Sequence, residues 1–305
     1  MIKITKYYYL TITFLLAGLG PAHAQDILRK SFSGIDKLEI KAGAIEVQYE
    51  GHENLGQLDM EAFLGSSENA EEGLIMVTIG NTLKIAYNAP RGNWRSKRYL
   101  KIKGPVNMQL NIRSGSGSLF VSGINAPFHV IEASSGQIKV RDIRGDLDLR
   151  ASSGNIQLAN LTGNLDCQLS SGNATIEAIE GNMNFKATSG QLKANSVSGI
   201  LHAKLTSGNM KLSRIGELGN LEITSGNIKA EQAGLGAMTS MRGSSGNIQI
   251  TTYSSIEDYN YDLNAGSGNI RVGNQSGKKS LQIQNGKETT INGRIGSGNI
   301  SIQPR

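Results

Sequence analysis

Asp148 and Asp166 stand 18 residues apart in a column that strand alternation turns outward, with Asp146 beside Asp148 on the same face. Two carboxylates at a fixed separation can hydrolyse a glycosidic bond, one protonating the leaving oxygen while the other attacks or activates water. With a cation bound, the same group could assist a polysaccharide lyase. The column runs on as Asn184 and His202 and brings no basic partner. A solvated polar face is therefore the expectation, and a carbohydrate-active β-helix enzyme acting on acidic polysaccharide is the alternative. His52, His129 and His202 have no metal-ligand spacing, and the chain holds no nucleophile elbow, phosphate loop or His-Glu-x-x-His motif. No catalytic residue, metal site or cofactor is expected.

A second group has the chemistry of anion binding. Arg91, Trp94, Arg95, Lys97, Arg98 and Lys101 cluster with Tyr99 and Lys103, and Trp94 is the only tryptophan. Charge together with stacking would hold an anionic glycan or a phosphate. The same residues would also serve as a solvated edge guarded by Lys and Arg against strand pairing. Cys167 has no partner for a disulfide, and it shares an apolar column with Leu149 and Phe185, so it reads as a small buried hydrophobe.

The element that must position these side chains is a repeat. A Ser-Gly dipeptide returns with its glycine at 136, 154, 172, 190, 208 and 226, always 18 residues on. A fixed short period of this kind marks units that bury their apolar faces against one another. Two residues after the glycine come Ile138, Ile156, Ala174, Leu192, Met210 and Ile228, and four after it Val140, Leu158, Ile176, Ala194, Leu212 and Ala230. Between them lie Lys139, Gln157, Thr175, Lys193, Lys211 and Lys229, the period-two alternation of a strand with one buried face. Seven, five and three residues before the glycine the apolar set resumes, as in Leu165, Cys167 and Leu169. Each unit thus carries two short strands. A second glycine nine residues after the first, as at Gly145 and Gly163, marks the other corner.

Stacked in register, such units make an all-β, single-stranded parallel β-solenoid (β-helix) with 18-residue coils, right-handed by the general rule for parallel crossovers. An antiparallel meander shares the short strands and regular turns. A transmembrane barrel fits poorly, since it needs strands of about 9–11 residues with aromatic girdles, whereas aromatics are 5% of this chain. The 18-residue period is similar to that of calcium-binding β-rolls, but their turn Asp is replaced here by Asn155, Asn173, Asn209, Asn227, Asn247, Asn269 and Asn299. A neutral amide is a poor sole ligand for a hard cation. Asn side chains stacked and bonded along the corner are the expectation.

Residues 1–24 read as a secretory signal peptide: Lys3 and Lys6 precede an apolar run, and Ala22-His23-Ala24 forms a small-residue cleavage site before Gln25. No apolar run reaches the ~20 residues of a spanning helix, and no cysteine follows the leader for lipid attachment. Without the leader, 29 Lys and Arg face 25 Asp and Glu, a net charge of +4. That balance permits attraction to anionic envelope polymers and falls short of a nucleic-acid footprint. Residues 25–110 alternate without a clean period, as in Leu38-Glu39-Ile40 and Leu83-Lys84-Ile85, and read as an irregular β region capping the solenoid. The repeats occupy 111–305, regular from 117 to 226. After Gly226 the Ser-Gly steps lengthen, which predicts insertions bulging as loops, for instance at 275–279.

The leader, the irregular β start, the run Met108-Gln109-Leu110-Asn111-Ile112-Arg113-Ser114-Gly115-Ser116-Gly117, the repeated Ser-Ser-Gly-Asn-Ile and the closing Gly296-Ser297-Gly298-Asn299-Ile300 resemble the bacterial "putative adhesin" family of unknown function with β-strand repeats. The chain is more distantly similar to the GIN head domains of autotransporter adhesins. That resemblance implies an exported, non-enzymatic envelope solenoid with no catalytic residues to carry over. The protein would act in the periplasm, at the cell surface or secreted, with envelope polysaccharide or a surface protein as partner, no nucleic acid and no transmembrane segment.

Overall fold

The computed structural model describes residues 27–65, 73–87 and 97–305. The expected leader lies outside them, as do the acidic segment 68–72 and Arg91, Trp94 and Arg95. The chain runs through β1 (Ile27–Ser33), β2 (Lys37–Lys41), β3 (Glu46–His52) and β4 (Gln57–Phe63), then β5 (Leu74–Ile79), β6 (Thr82–Tyr87), β7 (Tyr99–Pro105) and β8 (Gln109–Ser114). The long strands β9 (Leu119–Ala133), β10 (Gln137–Thr162), β11 (Leu165–Glu180) and β12 (Met183–Ala233) follow. They lead into β13 (Ser240–Thr252), β14 (Asn260–Val272), β15 (Gln275–Ile283) and β16 (Thr290–Pro304). All sixteen form one mostly parallel sheet, an all-β, β-solenoid-like architecture. No helix among the described residues is long and apolar enough to cross a membrane.

The repeat sets the pairing. Leu147 lies against Leu165, Gly154 against Gly172 and Ile156 against Ala174, all in parallel register. β11 repeats the pattern on β12, with Leu165 against Met183 and Gly172 against Gly190. An antiparallel meander would reverse one partner of each pair. The apolar columns point inward and form one continuous core, in which Ile156, Leu158, Leu165, Cys167 and Phe185 are all buried. At the Ser-Gly corner, Gly154 has φ +115, and a Cβ there would sit 1.9 Å from the carbonyl oxygen of Gly136 in the preceding unit. Stacking distance and backbone angle both demand glycine.

The second corner is built differently. Six residues after each corner glycine from Gly136 to Gly226 stands a non-glycine residue in the left-handed region, including Asn160 (φ 60), Ala178 (φ 56) and Arg214 (φ 53). It breaks the alternation, so the next residue turns inward as Leu161, Ile179 or Ile215, all buried. The left-handed residue costs roughly 1–2 kcal/mol, and burying the aliphatic side chain it aims inward contributes about 1.5–3 kcal/mol. Each unit therefore has a third, very short side.

Both ends of the stack are threaded out of chain order. β16 pairs with β13 on one side, Gly298 against Gly246, and with β14 on the other, Ile300 against Ile270. At the opposite end β2 lies between β6 and β8, and β3 between β7 and β9. The outermost parallel strands are then covered by antiparallel neighbours: β15 on β14, β5 on β6 and β4 on β7. Residues 275–279, expected as a bulging loop, are instead the start of β15, with Gln275 paired to Val272. An open parallel edge invites another chain, and an antiparallel hairpin closes it.

A titratable side chain lies among the buried residues. His129 is fully buried between Leu110 and Leu147 in an apolar column, and its Nδ1 accepts a 3.4 Å hydrogen bond from the Leu110 amide. Burial pushes its pKa below the ordinary 6.5, against the pull of the Arg144 and Ala126 carbonyls. The unfolded chain thus takes up a proton more readily than the folded one. Stability associated with neutral His129 is complete above pH 6.5 and is lost as pH falls from there toward the folded-state value. His129→Leu should abolish the dependence between pH 7.5 and 5, and by removing the acceptor of the buried Leu110 amide it should cost up to about 1–3 kcal/mol at pH 7.5. Thermal melts across that range check it.

Candidate functional site

Four residues before each corner glycine, strand alternation turns a long side chain outward: Arg113, Glu132, Arg150, Gln168, Lys186 and Lys204. Two residues before the glycine stand the hydroxyls of Ser134, Ser152, Ser170, Thr188 and Thr206. Parallel register lays each column along the stack. Between the two columns runs a groove of about 740 Å³, floored by Ala133, Ala151 and Ala187 among others. Its cations are partly engaged. Glu132 lies 3.2 Å from Arg113 and 3.6 Å from Arg150, while Lys204 reaches Glu222 at 2.7 Å.

The outward carboxylates are held in place. Asp148 accepts two bonds from Arg150, Nε at 3.0 Å and Nη2 at 2.5 Å, which in turn raise the guanidinium pKa. Asp166 accepts from Gln168 at 3.1 Å. Asp146 belongs to the second corner, where it accepts from the backbone and side-chain nitrogens of Asn164 at 2.8 and 3.1 Å. Glu39, Glu61 and Glu222 are held below the usual carboxylate range, chiefly by Lys37, Tyr99 and Lys204 respectively. A general acid needs the opposite shift. Burial pushes the Cys167 thiol well above its ordinary range, the reverse of what a nucleophile requires. Among the described residues no group of His, Cys, Asp and Glu could hold a metal ion.

The Asn corner is a ladder. Asn227 donates to Asn209 Oδ1 from backbone and side chain at 3.2 and 3.1 Å, Asn247 repeats this on Asn227, and Asn299 on Asn247. The turn amides are spent on one another. A second ladder at the other corner links Asp146, Asn164 and Asn182, the last donating to Asn164 Oδ1 at 3.0 Å.

Of the basic cluster expected from the sequence, Lys97, Arg98 and Lys101 are described. Lys97 is exposed. Arg98 donates to the Tyr87 hydroxyl and lies 5.8 Å from that ring. Lys101 sits 4.6 Å over the Tyr99 ring, in a cleft of about 730 Å³ shared with Arg29, Lys30, Lys103, Asp59 and Glu61. The groove residues were not singled out by the sequence, although their signal was present: once units are aligned on the corner glycine, the two columns can be read directly.

A family model described as Toastrack DUF4097 matches residues 35–196 and again 162–303. No curated protein matches the chain. Among solved structures, a "putative lipid binding protein" from Parabacteroides distasonis is similar at 18% identity and TM-score 0.50, covering 74% of this chain and 97% of its own. A "putative adhesin" from the same organism has 18% identity and TM-score 0.44, covering 92% and 97%. Another, from Bacteroides fragilis, has 14% identity and TM-score 0.33, covering 92% and 98%. At these identities the likeness concerns the fold alone. With the family model spanning nearly all the described residues, the chain belongs to the Toastrack DUF4097 family.

Proposed function

We propose that the protein is an exported, non-enzymatic envelope protein of adhesive type. It is a right-handed solenoid of 18-residue coils that holds an extended partner, envelope polysaccharide or surface protein, on its outer faces. The observation that carries this reading is the groove running along one face from Arg113 to Thr206. The interior is filled by apolar columns and the corner amides bond to one another, so the outer walls are what the molecule offers a partner. The adhesin names borne by structures of like fold agree with it. On this reading residues 25–110 cap the rod, and the basic run at 91–101 is a second cationic surface. The arginine clamp on Asp148 argues against the carbohydrate-active alternative, because both carboxylate oxygens accept guanidinium hydrogen bonds and neither is free to attack a sugar carbon.

The test is cosedimentation of the purified protein with envelope preparations, together with N-terminal peptide analysis of the native protein. Binding to envelope material, a mature start at Gln25 and no new reducing ends or unsaturated products are the expected results. Failure to bind any envelope fraction would sink the reading. So would product formation that disappears in Asp148→Ala.

A further inference from the structure

We infer that the groove is a binding site for a linear acidic polysaccharide lying along the stack axis. This rests on the envelope-binding reading and deepens it. The groove crosses six units, and with neighbouring strands about 4.8 Å apart its five steps span about 24 Å, room for an extended chain of several sugars. Its lining carries four cations, Arg113, Arg150, Lys186 and Lys204, against the single carboxylate of Glu132. Lys186, in the fifth of the six units, has no ion-pair partner among the described residues, with Gln168 and Lys204 as its neighbours along the column.

The opposite lip is chemically distinct. The hydroxyls of Ser152, Ser170, Thr188 and Thr206 bond to no other protein group among the described residues, so each presents both a donor and an acceptor to a ligand. With Ser134 they occupy the same place in five of the six units, Gly115 standing there in the first. A repeating ligand with one hydroxyl-rich edge and one anionic edge matches this arrangement, cations to carboxylates and hydroxyls to hydroxyls.

Three observations narrow the class. The groove contains no aromatic side chain, so a neutral glycan would lack the apolar stacking faces that usually hold one, and charge must supply the attraction. Backbone amides and carbonyls of this wall are committed to the parallel ladder, so a peptide could not add as a strand. The few cations, already partly paired to Glu132, Asp148 and Glu222, fall short of the phosphate neutralisation that nucleic-acid affinity requires.

The experiment titrates the purified protein calorimetrically with polygalacturonate and with its methyl-esterified form, which keeps the chain and removes the charge. Binding to the first and at least tenfold weaker binding to the second are expected, with the affinity for polygalacturonate falling steeply as salt rises. Lys186→Gln with Lys204→Gln should weaken it about tenfold or more and flatten the salt dependence. Thr188→Val, which keeps the shape and deletes the hydroxyl, should weaken it severalfold. Lys193→Gln with Lys211→Gln, in the outward column of the other wall, should change nothing. Equal losses from the two lysine pairs would overturn the site, leaving only diffuse charge attraction. So would equal binding of the esterified chain, no binding of polygalacturonate, or poly-glutamate competing as well as the polysaccharide. If the Lys186→Gln, Lys204→Gln protein still sediments fully with envelope material, this site fails while the envelope reading stands. If the parent protein does not sediment with it, the envelope reading itself fails.

Discussion

Removal of residues 154–162 should leave a protein without a cooperative thermal transition, whereas removal of residues 154–171 should leave one that folds, shorter by a single rise of about 4.8 Å. The longer deletion joins Ser153 to Gly172, the residue that pairs with Gly154 in register. Every inward column stays inward, and Asn182 replaces Asn164 as the donor to Asp146 at the second corner. Its main loss is Leu169, which leaves Ala151 stacked on Ala187 over a small void. The shorter deletion joins Ser153 to Gly163 and exchanges one corner for the other. Leu169 then falls where Asn160 stood, exposed and left-handed, and Ser170 falls where Leu161 was buried. The same half-unit shift buries Thr188 and Thr206 downstream and exposes Leu205. Each exposed leucine forfeits about 1.5–3 kcal/mol and each buried, unpartnered hydroxyl costs about 1–3 kcal/mol. Together these approach the ~5–15 kcal/mol that holds a typical domain folded. Circular dichroism melts of the two variants decide it. Equal tolerance would mean that nine residues, not eighteen, form the stacking unit.

The same arithmetic shows why some of the molecule is legible in the chain and some is not. Inward columns at fixed offsets from a glycine repeat themselves, so Leu165, Cys167 and Ile156 announce their burial through their counterparts in other units. The asparagine ladder was legible for the same reason. The third inward column, Leu161, Ile179 and Ile215, also recurs at a fixed offset, seven residues after the glycine, but the turn that aims it inward was not legible, because it is made by residues as unlike as Asn160, Ala178 and Arg214. Their shared feature is a backbone angle, and a side chain does not record it. The order of units at the ends is hidden more deeply. Gly246, Gly268 and Gly298 each open the same Ser-Gly-Asn-Ile corner, so any of them could stack on Gly226. What separates them is the β14–β15 hairpin, which needs an outer edge and leaves the inner place to β16. The groove falls between these cases. Its columns are periodic and visible, but alternation alone makes them one more solvated face. Its concavity emerges only where the wall bends over small side chains into the corner.

The corner glycines should be the least replaceable residues of the chain, and a series of three substitutions separates the two reasons. At Gly190 φ is +126, and a Cβ would lie 1.7 Å from the Gly172 carbonyl oxygen, a backbone atom fixed by the ladder. Gly190→Ala therefore combines a strained angle, costing about 1–3 kcal/mol, with a contact that can be relieved only by prising two units apart. A loss of about 3 kcal/mol or more is expected, lowering the melting midpoint by roughly 10 °C in a protein of this size. Gly80 has φ +59 but open space around its Cβ position, so Gly80→Ala isolates the backbone cost at about 1–2 kcal/mol. Gly56 has open space and an ordinary angle, and Gly56→Ala should fall within about 0.5 kcal/mol of the parent. The ordering Gly56, Gly80, Gly190 measures how closely the units approach. Were Gly190→Ala no worse than Gly80→Ala, the carbonyl of the neighbouring unit would have to yield without cost. The tight stacking that makes one uninterrupted wall, and the groove along it, would then not be what holds the rod together.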